Sequence, residues 1–330
     1  MKVVAAVDKF RGTATAAEVA AAIGHACWES DVDCVEIPLA DGGEGLLDVF
    51  GGPNRRTVVT GPLGDPVTAD WRLDRRTAVI ESARAAGLTL VGGPEGNDPI
   101  GATTTGVGEL IDHAVGVGAR RIVVGLGGSA TTDGGFGAVR AIPAPTRLRG
   151  VELLVACDVE TRFTDAARVF GPQKGATPAQ VAFLSGRLDR LAQLYADEFG
   201  VDVRELPGAG AAGGLAGGLA ALGGELVPGF DLVADEVDLE GHLRGADLVV
   251  TGEGHLDAQS FAGKVVGGVA DLAGALGVEV LVVAGDTDRD VRDRVPTVSL
   301  VERFGPDRAM REPQGCITEV VREHLAARHR

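Results

Sequence analysis

Short apolar runs alternate with longer stretches of helical period along this chain. Val3–Val7 predicts a strand, and the Ala-rich stretch Ala14–Trp28 predicts a helix capped by Thr13 or Thr15. Cys34–Leu39 predicts a second strand, and Glu44–Phe50 the start of another helix. Between Arg55 and Ser82 three short runs, Thr57–Thr60, Val67–Leu73 and Ala78–Ile80, are split by Gly-Pro and Asp-Arg-Arg turns, which is a hairpin pattern. Helical period returns over Thr104–Val117 and over Pro178–Phe199, the latter opened by Thr177. Arg121–Gly125 and Val151–Ala156 read as strands. Asp247–Thr251 and Val278–Ala284 read as buried strands flanking a helix over Gly263–Leu276, and Thr297–Val301 with a helix over Ile317–Ala327 closes the pattern.

Strands that alternate with helices imply parallel sheets joined by crossovers, while the hairpin region implies a mixed sheet. A chain of 330 residues is long for a single core. The expected fold is α/β with two domains. Residues 1–54 plus 262–330 would form a Rossmann-like parallel-sheet domain, and 55–261 an inserted α/β domain with a mixed sheet. The 50 glycines collect at the ends of apolar runs, where βα turns belong. A net charge of −16 without any Lys/Arg block argues against nucleic acid and against anionic membranes. No uncharged run reaches membrane-spanning length, and Met1–Asp8 reads as a strand rather than a signal peptide, so a cytoplasmic location is expected. Cys27, Cys34, Cys157 and Cys316 form no C-x-x-C pair and the six histidines no ligand cluster, which fits free thiols in a reducing compartment.

Four glycine-rich stretches carry the chemistry: Ala40–Gly45, Gly125–Gly135, Pro207–Gly214 and Thr251–Asp257. Such loops let backbone N–H groups converge on an anion. A Walker A sequence is absent, since Ala258 and Val265 stand where Gly and Ser/Thr should be around Gly263-Lys264. Gly208-Ala209-Gly210-Ala211-Ala212-Gly213 matches G-x-G-x-x-G but follows Pro207 rather than an apolar strand, so an NAD(P)-dependent dehydrogenase is a remote alternative. Tight helix packing on small residues explains the same run equally well. Only four basic residues are lysines, and three of them, Lys9, Lys174 and Lys264, adjoin Gly loops. Asp8, Asp41, Glu44, Asp133, Asp158, Glu253 and Asp257 fall at predicted strand ends, the edge that holds ligands in open α/β sheets. Acidic groups, lysines and anion loops together meet the needs of Mg²⁺-assisted phosphoryl transfer.

Seven segments in order, Asp8–Gly12, Pro38–Gly45, Gly127–Gly135, Ala156–Val159, Phe170–Ala176, Pro207–Gly214 and Thr251–Gln259, resemble the motifs of the type I glycerate kinases, over nearly the whole chain. The resemblance implies ATP-dependent phosphorylation of D-glycerate, 2-phosphoglycerate being favoured over 3-phosphoglycerate, with a divalent cation. It also implies two α/β domains with the active site in the cleft between them. On this basis Gly127, Gly128 and Ser129, with Gly208, Gly210, Gly213 and Gly214, would cradle ATP phosphates. Asp133 or Asp158 would orient or deprotonate the attacking hydroxyl, with Lys174 and Lys264 neutralising charge. Asp41, Glu253 and Asp257 are the candidates for Mg²⁺, and Asp8, Lys9, Arg11, Asp41, Gly42, His255 and Gln259 for the substrate. The family pattern has Lys at 11, Asn at 132 and Arg at 255, where this chain has Arg11, Thr132 and His255, and a family segment is missing between Arg140 and Val151. These departures leave open a kinase of a related small hydroxy acid, or a catalytically weakened ligand-binding homologue. A homodimer is also left open.

Overall fold

The computed structural model describes residues 1–330 apart from 11, 262, 290, 292, 293, 329 and 330. Among the described residues eleven strands run in chain order: β1 Lys2–Val7, β2 Asp33–Pro38, β3 Arg55–Thr60, β4 Pro66–Asp74, β5 Thr77–Glu81, β6 Arg121–Gly125, β7 Glu152–Cys157, β8 Glu225–Pro228, β9 Leu248–Leu256, β10 Glu279–Thr287 and β11 Thr297–Ser299. They make two sheets in two compact units, one of residues 1–41 with 230–330 and the other of 42–229. The sequence pattern puts these breaks at 54/55 and 261/262. The segment before 262 packs with the first unit because β9 pairs with both β1 and β10.

In the first unit the order is β11-β10-β9-β1-β2, parallel throughout. Val3 to Val7 are at most 1% exposed, the unbroken apolar run of a strand covered on both faces. The helix Ala16–Glu29 starts where Thr15 and Glu18 cap each other: Thr15 Oγ1 accepts from Glu18 N at 3.2 Å, and Glu18 Oε2 accepts from Thr15 N at 2.8 Å. It packs with the helix Pro313–Arg328 on one face of the sheet through Ile23, Ile317 and Leu325, while Val266 of the helix Val265–Leu276 covers Val282 and Ala284 on a separate cluster. From β1 the chain winds to β2 on one side, and β9 adds on the other. The gap between the ends of β1 and β9 is therefore a topological switch point, where open α/β sheets bind ligands.

The fourth glycine stretch departs from the loop expected of it. Its residues 251–256 continue β9, registered against β10 with Glu253 opposite Ala284 and His255 opposite Asp286. Gly252 allows this, since a Cβ there would lie 1.9 Å from the Val283 carbonyl oxygen.

The second unit has the order β3-β4-β5-β6-β7-β8, with β3-β4-β5 antiparallel and β5 to β8 parallel. This is the mixed sheet that the hairpin signals predict. Trp71, Ile80, Leu110, Ile111 and Ile122 fill its core, and a second cluster around Phe163, Leu188 and Tyr195 lies under the helix Pro178–Phe199. After the helix Phe136–Ala141 a single 3₁₀ turn, Pro145–Leu148, leads directly into β7.

Candidate active site

Each unit gathers one set of the sequence-predicted residues. In the first unit they stand at the switch point. Asp8 follows β1, and its N–H donates to Gly252 O of β9 at 3.0 Å, which sets it beside Glu253. Asp8 is 8% exposed, and burial pushes its carboxyl up to about 6, with Lys9 pulling it down and Asp41 pushing it further up. Lys9 Nζ lies 3.6 Å from Asp8 Oδ1. Glu253 is raised to about 7, first by burial and then by the charges of Asp8 and Asp257, against the opposing effects of Ser260 and Lys264. Its Oε1 is buried and accepts no hydrogen bond from the described residues. Two carboxylates therefore sit close together in a place that penalises their charge.

The neighbours of this pair are committed differently. Asp257 Oδ1 accepts from Gln259 N at 2.8 Å and from Ser260 N at 3.0 Å, so this oxygen shapes the turn that follows β9. Gln259 is exposed. Lys264 stands at the N-terminus of the helix Val265–Leu276. His255 Nε2 lies 3.3 Å from Asp288 Oδ1, both side chains 54% exposed. Arg11 lies outside the described residues. Among the described residues no three His, Cys, Asp or Glu side chains are grouped to hold a metal ion. Mg²⁺ does not need such a cage: it is commonly held by one or two carboxylates, with water and substrate phosphate completing its shell. The Glu253–Asp8 pair fits that requirement through its unpartnered oxygen.

In the second unit two glycine loops lie against each other. Gly134 N donates to Gly213 O at 3.1 Å, and a Cβ on Gly213 would sit 2.0 Å from Thr131 O. Ala212, Gly213 and Gly214 are all left-handed, with φ of 50°, 70° and 90°, so the helix proper begins after them. Ala212 bears that conformation with a side chain, a strain that marks functional loops. Both explanations of the Gly-Ala run thus coexist: Gly213 and Gly214 are required by backbone contact, and the turn opens a helix. Gly42, with φ of 88°, would clash through a Cβ with Gly229 Cα at 2.5 Å. Asp158 is half-buried directly after β7.

The Gly125–Gly135 loop is braced from beneath. Asp133 Oδ2 accepts from Thr104 N and Thr104 Oγ1, both at 2.9 Å, and from Gly137 N at 3.1 Å, while its Oδ1 accepts from Gly135 N at 3.1 Å. This carboxylate ties the starts of the helices Thr105–Gly116 and Phe136–Ala141 to the loop. Asn97 Nδ2 donates to Ala130 O at 3.0 Å, Lys174 Nζ to Thr131 O at 2.6 Å, Arg187 to Thr132 O at 2.7 Å, and Tyr195 to Gly134 O at 2.9 Å. Thr132 is fully buried, and its hydroxyl has no hydrogen-bond partner among the described residues. Thr104, Asn97, Arg187 and Tyr195 escape sequence reasoning. Thr104 carries a weak signal as the first residue of a predicted helix, whereas Arg187 and Tyr195 look like ordinary residues of an amphipathic helix.

A family model described as the Glycerate kinase family matches residues 3–146 and 142–325. The chain belongs to this family. It is 40% identical to glycerate 2-kinase of Escherichia coli K12, over 88% of this chain and 87% of that one. It is also 40% identical to glycerate kinase of Bacillus subtilis 168, over 88% and 86% of the two chains. A crystal structure of a candidate glycerate kinase 2 from Salmonella typhimurium LT2 superposes with a TM-score of 0.84 at 35% identity, covering 100% of this chain and 98% of that one. Membership of the glycerate kinase family makes the protein a small-molecule kinase with ATP as the phosphate donor. The two matched stretches meet at 142–146, where the chain makes its single short turn into β7. No helix among the described residues is long and apolar enough to cross a membrane.

Proposed function

We propose that this protein transfers the γ-phosphoryl group of ATP to the 2-hydroxyl of D-glycerate, with Mg²⁺. The observation that carries the assignment of the site is the buried, unpartnered oxygen of Glu253 beside Asp8 at the switch point of the parallel sheet. In this reading Glu253 with Asp8 or Asp41 holds Mg²⁺, which when bound supplies charge neutralisation at phosphate oxygens. Asp257 shapes the turn after β9. Lys9 and Lys264 bind the carboxylate of the hydroxy acid as compact cations, and His255 belongs to the same substrate-binding set.

The backbone of Gly127, Gly128 and Ser129 and the turn at Gly208–Gly214 bind phosphate. Lys174, beneath the first of these loops, adds positive charge behind it. Asp133 accepts from four donors, three of them on Oδ2, and serves to hold the loop, which leaves Asp158 to orient the attacking hydroxyl. Because phosphoryl transfer depends mainly on positioning and on charge placed in advance, rigid loops count for more here than a strong base.

Purified protein with ATP and Mg²⁺ is expected to turn over D-glycerate in a coupled assay and to yield 2-phosphoglycerate, identified by phosphorus NMR of the product. Absence of turnover with glycerate and with a panel of small hydroxy acids would remove the kinase assignment. A 3-phosphoglycerate product would overturn only the position of transfer.

A further inference from the structure

Lys174 is 2% exposed and lies under the Gly125–Gly135 loop. Its ammonium donates to Thr131 O at 2.6 Å and to Ser129 Oγ at 3.5 Å, both neutral acceptors. Among the described residues no carboxylate stands within ion-pairing distance of it. Asp133 contributes charge from nearby, but its two oxygens are engaged by Thr104, Gly135 and Gly137. The helix Pro178–Phe199 adds Arg187, whose guanidinium donates to Thr132 O and Ile100 O and which feels Asp133, Arg190 and Asp98, and Tyr195, whose hydroxyl donates to Gly134 O. The neutral Asn97 holds Ala130 O and Lys174 O. Lys174 and Arg187 thus share one buried carboxylate, and the ground beneath the loop is short of one negative charge.

We propose that Lys174 is a positioning residue that gains a proton when nucleotide phosphate settles on this loop, so that phosphate binding and the charge of Lys174 are coupled. The proposal rests on the reading above that the loop binds phosphate. Burial holds the Lys174 ammonium down to about 7 from its ordinary 10.5, so near neutral pH a substantial fraction is uncharged. An anion on the far side of Ser129 and Thr131 supplies the missing counter-charge in a place of low dielectric, where it favours the ammonium strongly. Linkage makes the effect reciprocal: the factor by which bound phosphate raises the affinity of Lys174 for a proton is the factor by which that proton raises the affinity for phosphate. A nucleotide then meets a loop that becomes electropositive as it arrives, in a protein whose net charge is −16.

Lysine labelled with ¹³C at Cε makes this measurable, because the chain has four lysines, Lys2, Lys9, Lys174 and Lys264. The Lys174 signal, assigned by elimination from K2R, K9R and K264R, is expected to titrate near pH 7 in the free protein and above pH 9 with ADP bound in the absence of divalent cations. A displacement of two pH units corresponds to about 100-fold between the affinities of the charged and neutral forms, and to a fall of about 25-fold in ADP affinity between pH 7 and pH 9. In K174R, which keeps its charge throughout, that fall is expected to vanish, a response that loss of a merely structural contact would not produce. A Lys174 titration unmoved by bound ADP overturns the proposal and leaves the phosphate reading standing, as does a pH slope that persists in K174R. Failure of ADP to bind at all overturns both. The wild-type titration decides the matter even where K174R does not fold.

Discussion

Replacing Glu253 by Gln is expected to lower turnover of ATP and D-glycerate by about 10²–10³-fold, the scale of losing one preorganised charge at a phosphoryl-transfer site. The same change is expected to raise thermal stability above pH 7. Burial and the charges of Asp8 and Asp257 lift Glu253 from 4.5 to about 7 in the folded protein. Between those values the folded chain holds a proton that the unfolded chain has lost. The corresponding stability is complete below pH 4.5 and is gone once pH has risen through 7. Gln carries no charge and never meets this penalty. Melting curves of wild type and E253Q should therefore separate at pH 8, with the variant higher, and converge at pH 5. A variant that melts higher yet turns over poorly identifies a residue kept for function at a cost in stability. Near-normal turnover in E253Q would remove Glu253 from the site.

Asp133→Asn is expected to act mainly through structure. One of the two carboxylate oxygens becomes an NH₂ group, which faces Gly135 N or the donors from Thr104 and Gly137. At least one buried N–H loses its acceptor and the new donor finds none, a loss of about 3 kcal/mol. In a chain of 330 residues, whose unfolding entropy is about 0.7 kcal/mol/K, that corresponds to a fall of roughly 4 °C in Tm. Lys174 and Arg187 also lose the one negative charge they share. Protonated Lys174 then becomes harder to bury, so the destabilisation should be greater at pH 6, where Lys174 is charged, than at pH 9, where it is neutral. The sign follows from linkage: with the folded value near 7 and the unfolded one at 10.5, the unfolded chain holds the extra proton, and stability grows as pH rises across that interval. Activity is expected to fall with the loop it depends on. An unchanged Tm with lost turnover would instead place Asp133 in contact with the reacting groups.

Local rules made the strands and helix starts legible. The apolar runs at Val3–Val7 and Val278–Ala284 are central strands, and Thr15 and Thr177 cap helices through side chains only three residues away. The two-sheet α/β architecture follows from their alternation. The extent of β9 was hidden because Gly252-Glu253-Gly254-His255 has the composition of a turn. Only the approach of β10, some thirty residues later, turns it into a strand. The acidic residues at strand ends were legible as a set, since each follows an apolar run. Their individual states were not, because the burial that separates Glu253 and Asp8 from Asp257 is a tertiary property. In the sequence Asp133 is one more carboxylate beside a glycine loop. Its donors from Thr104 lie 29 residues upstream, and the Lys174 and Arg187 braces 43 and 55 residues downstream of the carbonyls they hold. No window of sequence spans such distances.

The pairing of β1 with β9 has a consequence for synthesis. Val3, Val4 and Ala5 find their partners at Leu248, Val249 and Val250, so the N-terminal strand leaves the ribosome long before one of its two neighbours exists. The mixed sheet, whose strands all lie between Arg55 and Pro228, is complete much earlier. A nascent chain therefore carries a finished insert while the exposed edge of β1 waits for its C-terminal neighbour, and that interval is when an apolar parallel strand is most open to pairing with the wrong chain.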